Sequence, residues 1–142
     1  MNEQFQELVK SLSLAEIRFL ESHEKVLEMP EANTQSQVEI KTEQAFPTED
    51  PLIENDTVLF RPRYTFTFSI NEKDFFSAQY IIVIAFKTEK TEKVKELLAV
   101  PEVKDFFLKK QLNRTLWSVL RGTVLDAFNR HSLQPLPLPW II

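Results

Sequence analysis

The side chains able to do covalent or metal chemistry are few in this sequence and badly spaced for it. Histidine occurs only at positions 23 and 131. His131 falls where a helix would end, and the helix dipole accounts for it. His23 has Glu21 and Glu24 beside it but no second imidazole, so it does not nominate a metal site. Ser22, Ser69, Ser77, Ser118 and Ser132 lack a glycine-flanked elbow, and no Ser-His-Asp order comes with a supporting motif. Glu49, Asp50, Glu54 and Asp56 lie in a proline-containing stretch where no apolar pocket would raise a carboxyl pKa, so they read as solvated loop charge. Lys87, Lys90, Lys93, Lys95, Lys104, Lys109 and Lys110 mix with Glu89, Glu92, Glu96 and Glu102 and read as a wet face. The expectation is a protein that is not an enzyme and has no metal or cofactor.

Gly122 is the only glycine. Phosphate-cradling loops and dinucleotide fingerprints need several glycines for tight turns and close backbone approach, so both are excluded. Residues 1–56 carry 13 Asp/Glu against 4 Lys/Arg, a net of −9, and residues 57–142 carry 8 against 13, a net of +5. The acidic half argues against nucleic acid as partner, because phosphate neutralisation needs a basic face. Zero cysteines exclude a disulfide framework and fit a reducing compartment, with the cytoplasm as the expected location. The start, MNEQFQELVK, has no basic leader or apolar run, and Tyr80 to Phe86 is far too short to span a bilayer. A single domain that enters no membrane is the expectation.

What remains is hydrophobe. Leu116, Trp117, Val119, Leu120, Val124, Leu125, Ala127 and Phe128 make a helix apolar over much of its circumference, which demands burial on more than one side. It runs into LQPLPLPWII, where Pro135, Pro137 and Pro139 favour an extended backbone from Gln134 onward. Aromatics make up 11% of the residues, and about three quarters of them are expected simply to pack in the core, leaving a remainder at the surface. Leu133 to Ile142 and the sheet rim are therefore expected to present an apolar groove.

Upstream, residues 1–11 read as a short amphipathic helix or arm. Leu12 and Leu14, then Ile17 and Phe19, alternate on opposite parities. A strand to about Val26 with a residue inserted near Ala15-Glu16 explains this, and a helix through Leu8, Leu12, Ala15 and Phe19 explains it about as well. Residues 30–37 form a loop, and Val38, Ile40 and Thr42 mark a strand with one wet face. Residues 46–56 are expected to be a long, mobile acidic connection. Tyr64, Phe66, Phe68 and Ile70 share one strand face, and after a turn at Asn71 to Asp74 the strand returns over Phe76 to Phe86, completing an antiparallel hairpin. A short helix over 92–99 and a long one opened by Pro101 and closing at His131 follow. The fold class is α+β: a four-stranded antiparallel sheet with a bulged first strand, then a short helix and a long C-terminal helix.

The segment LWSVLRGTVLDAFNRHSLQPLPLPWI resembles the closing segment of the SecB export-chaperone family. There an aromatic-led helix carries two arginines and breaks into a crossover loop of leucines alternating with proline or asparagine. Leu116-Trp117, Arg121, Arg130 and Leu136-Pro137-Leu138-Pro139 hold those positions. His131 stands for the family's usual glycine, and the sequence ends sooner after the crossover segment. A divergent member, general for export, stand-alone or associated with a toxin–antitoxin pair, is what this implies. So are a SecB-like fold, a homotetramer built as a dimer of dimers, and hydrophobic channels that hold non-native polypeptide without ATP. Tyr64, Phe66, Phe68, Phe128, Leu133, Leu136, Leu138, Trp140 and Ile141 would contact the client. Glu21 and Glu24 would dock a partner, either the export motor SecA or, for the client side, an antitoxin. A structural protein whose apolar tail seals a homo-oligomer is the other reading of the same residues.

Overall fold

The computed structural model describes residues 2–28, 38–131 and 133. In chain order they form α1 (Asn2–Ser11), β1 (Ser13–Val26), β2 (Val38–Ala45), β3 (Leu52–Glu54), β4 (Thr57–Phe60), β5 (Arg63–Ile70), β6 (Lys73–Lys87), α2 (Thr91–Leu98), α3 (Pro101–Phe106), a π-helical turn (Phe107–Leu112) and α4 (Asn113–Arg130). The class is α+β, as the order of patterns requires. The sheet has six strands, in the order β2-β5-β6-β4-β3, with β1 also paired to β6. The expectation of four strands is thus corrected.

Of the two extra strands, β3 lies within the stretch 46–56 read as an open acidic connection, and β4 follows directly after it. Thr57-Val58-Leu59-Phe60 alternates, and Val58 and Phe60 are wholly buried. Asn55 takes a left-handed φ of 54°, which lets the chain reverse in two residues between β3 and β4. The same device joins β5 to β6, where Asn71 and Glu72 have φ of 51° and 65°. The return strand starts at Lys73, earlier than its apolar pattern suggests: Lys73 and Asp74 pair with Ile70 and Ser69, and the register shift between Phe68 and Ser69 leaves Phe75 as the extra residue.

Residues 13–26 settle as strand rather than helix. Their half-buried members are Ile17 and Phe19, then Glu24 and Val26. The change of parity lies between Phe19 and Glu24, so the expected insertion near Ala15-Glu16 is displaced toward the middle of the strand.

By internal contacts the residues group into two compact units. The first comprises Met1–Leu14, Ile53–Val58 and Phe86–Ile142, and it holds the helices. α1 buries Phe5 and Leu8, with the Phe5 ring edge-on to Phe106 at 4.6 Å between centroids. Pro101 sits at the first position of α3 after the extended Val100. The helical path then continues through the π-helical turn, which buries Phe107, Leu108 and Leu112, into α4, which buries Leu116, Trp117, Leu120, Val124, Ala127 and Phe128. One long helix was expected here, and the wide turn divides it. The last carbonyls are closed by His131 N–H to Ala127 O at 3.1 Å and Leu133 N–H to Phe128 O at 2.8 Å.

The second unit comprises Ala15–Leu52 and Leu59–Ala85. β5 pairs antiparallel with both β2 and β6, with Tyr64 opposite Gln44 on one side and Tyr80 on the other. One face of the hairpin, Tyr64, Phe66, Phe68, Phe76, Ala78, Tyr80 and Ile82, is buried at 0–1% exposure. The other face carries Arg63, Thr65 and Thr67 on β5 with Gln79, Ile81 and Val83 on β6, all half-buried except the exposed Arg63.

Candidate binding site

The second unit carries a concavity of about 510 Å³ lined by Leu20, Glu21, Ala45, Phe46, Pro47, Arg61, Arg63 and Ile81. Register explains the grouping: Ala45 on β2 and Ile81 on β6 both face Arg63 on β5. Leu20 and Glu21 come from β1, and Phe46-Pro47 is where the chain leaves β2. Five of these eight residues are apolar and three are charged, the usual make-up of a polypeptide or small-ligand site.

Of the two arginines, Arg61 is committed. Its backbone N–H donates to Asp50 Oδ2 at 2.5 Å, its Nε reaches Asp50 Oδ1 at 3.4 Å, and its Nη2 donates to Glu49 Oε1 at 2.7 Å. The Asp50 side chain is 1% exposed, which corrects its reading as a solvated loop charge. A carboxylate is tolerated there because a guanidinium and a backbone donor face it. Glu49 is held below the usual carboxylate range, first by its own backbone N–H, against the opposing effect of burial, and then by Arg61. Arg63 is exposed and has no ion-pair partner among the described residues, nor does Glu21. A cation and an anion without ion-pair partners among the described residues therefore line the same concavity.

The residues named from sequence are distributed differently. Glu21 lines the concavity. Glu24 accepts a hydrogen bond from the Tyr80 hydroxyl at 2.8 Å and is half-buried, so it is occupied within its own chain. Tyr64, Phe66 and Phe68 are core, at 1%, 0% and 0% exposure, and none reaches the concavity. Tyr64 accepts a hydrogen bond from Gln44 Nε2 at 3.0 Å, and burial pushes its hydroxyl pKa above the ordinary tyrosine range. Phe66 lies 6.3 Å from the Tyr80 ring, and Phe68 lies 6.0 Å from Phe76. Phe128 and Leu133 are buried in the helical unit. Leu136, Leu138, Trp140 and Ile141, with the rest of the Leu/Pro segment, lie outside the described residues. Sequence reasoning missed Arg61 and Arg63, although their place just before an aromatic strand was a usable signal.

No helix among the described residues is long and apolar enough to cross a membrane, and none of their acids and histidines cluster to hold a metal ion. No protein-family model matches the sequence, and no curated protein does. Among solved structures, the chain is similar to the Mycobacterium tuberculosis SecB-like chaperone Rv1957, determined in complex with a ChAD peptide from the Rv1956 HigA1 antitoxin. The TM-score is 0.68 at 16% identity, covering 97% of this chain and 96% of the other. The fold is SecB-like. That likeness spans nearly the whole chain.

Proposed function

We propose that this SecB-like chain is an ATP-independent chaperone that holds non-native polypeptide by apolar contact. The observation that carries the reading is the match of fold over nearly the whole chain to a chaperone solved with a peptide of an antitoxin. The concavity on the second unit supports it, with apolar residues for a client side chain beside the charges of Glu21 and Arg63. Burial of apolar surface at about 25 cal/mol per Å² is non-directional and so tolerant of client sequence. Antitoxin segments and precursors bound for export are both clients of this chemistry. Glu21 is the acid of the candidate pair that is free to meet a motor such as SecA, and a dimer of dimers is the assembly the fold suggests.

The test is suppression of aggregation of a reduced, unfolded client, followed by light scattering, together with binding of labelled apolar peptides. Suppression near stoichiometric ratio is expected, without nucleotide. A chain that neither slows aggregation nor binds peptide is not a holdase, and the assembly role then stands alone. That second reading draws on one observation: the aromatic trio expected to meet clients is core.

A further inference from the structure

Arg63 and Glu21 line the same concavity, and neither has an ion-pair partner among the described residues. Their places in the sheet explain why they do not meet. Arg63 lies on β5 directly opposite Ile81 on β6, and Glu21 lies on β1, which pairs with the other edge of β6. Two inter-strand spacings, about 10 Å, therefore separate the two backbones. Ile81 stands between them. Arg61, the third charge of the concavity, is already neutralised by Asp50 and Glu49. Leu20 and Glu21 are consecutive yet both line the concavity, which the change of parity between Phe19 and Glu24 permits. The result is an ordered row of cation, apolar residue and anion along a space of about 510 Å³.

Charge and spacing together select the occupant. A polyanion would be repelled by Glu21 and would find one unneutralised cation. A free amino acid carries its two charges too close together to reach both residues. An extended polypeptide can reach them: side chains on one face recur every two residues, at about 6.6 Å, so positions i and i+4 stand about 13 Å apart. The nearer pair, i and i+2, leaves no side chain between its charges on the face toward the sheet. The wider pair sets a third side chain over Ile81 while its ends meet the two exposed charges. We infer that this concavity selects extended segments of the pattern acid-x-apolar-x-base, with the apolar residue on Ile81 and Leu20, the acid on Arg63 and the base on Glu21. The inference rests on the reading of the concavity as a polypeptide site and adds a charge order to it. Apolar burial supplies affinity without direction, and the two ends supply the selection. A segment running the other way satisfies the same charges, so base-x-apolar-x-acid is an equivalent ligand.

Labelled peptides in a serine and glycine background test this by anisotropy: one containing Asp-Ser-Phe-Ser-Lys, one with lysine at both ends of that run, one with aspartate at both ends, and one with the compressed run Asp-Phe-Lys. The first should bind the unaltered chain about threefold more tightly than any of the others. Arg63→Glu should shift the preference to the doubly basic peptide and Glu21→Arg to the doubly acidic one. The two changes together should restore the preference for opposite charges. Both positions are exposed, so unfolding midpoints should not move. The same ranking of peptides in all four proteins, equally tight binding of the compressed run, or no binding of any peptide would overturn the inference. Suppression of client aggregation, measured on the same proteins, separates this inference from the reading beneath it. Retained suppression without the ranking removes the charge pattern and leaves the holdase, and ranked binding without suppression does the reverse.

Discussion

Arg61 and Asp50 are joined twice, through the arginine backbone N–H at 2.5 Å and through its Nε at 3.4 Å, closing a loop that contains β3, its turn and β4. One carboxylate thus fixes both the start of the chain's approach to β5 and the rim of the concavity. Replacing Asp50 by Ala leaves a buried backbone donor without an acceptor. The loss should be about 2 kcal/mol of stability, measured by urea unfolding. Asp50→Asn keeps an oxygen for the N–H and should lose less.

The alkaline limb of stability belongs in part to Tyr64. Its hydroxyl ionises later in the folded chain than in the unfolded one, because burial raises its pKa from 10.0. The protonated form is therefore stabilising up to about pH 10, and that contribution is lost as pH rises beyond it. Unfolding midpoints measured from neutral to strongly alkaline pH should fall, and Tyr64→Phe should flatten that fall. Phenolate absorbance should show Tyr64 titrating late, as a step that Tyr64→Phe removes.

On the acid side the signs reverse. Asp56 is held below the ordinary carboxylate range, chiefly by the charge of Lys87, whose Nζ stands 3.4 Å away. Its contribution is present above the unfolded carboxyl pKa and lost as pH falls through the lower folded value. Lys87→Met should return the Asp56 titration, followed by NMR, toward its unperturbed position.

Gly122 lies within α4, where a Cβ would meet nothing within 4 Å. Gly122→Ala should therefore raise stability by about 1 kcal/mol, read as a higher unfolding midpoint. No change, or a decrease, would mean that this position is covered in the assembled protein.

Arg63 is a cation of the concavity with no ion-pair partner among the described residues. Arg63→Ala should leave unfolding unchanged and weaken binding of a peptide carrying an acid beside an apolar residue about threefold, in a titration followed by anisotropy. Equal loss for a basic peptide would sink that role.

Alternation over Tyr64 to Ile70 and the proline at position 101 were readable because each is a local rule: period two for a strand, a missing N–H at a helix start. β3 and β4 were hidden because Pro47, Pro51 and four acids dominate their neighbourhood, while the burial of Val58 and Phe60 depends on strands far along the chain. Asp50 illustrates the same gap, since an acid becomes burial-competent only through a cation eleven residues on. The aromatic trio was assigned a binding role on type alone, and residue type does not distinguish a core ring from a presented one.

The π-helical turn at Phe107–Leu112 has a consequence for comparing this chain with its relatives in fold. A wide turn amounts to an extra residue spliced into an α-helix. Each added or removed residue rotates everything downstream by about 100° about the axis. A relative with an uninterrupted helix would thus need a one-residue gap in this stretch before Leu116 and Phe128 line up with their counterparts. An alignment without that gap would set buried positions of α4 against solvent-facing ones, and two helices with the same inner face would look unrelated.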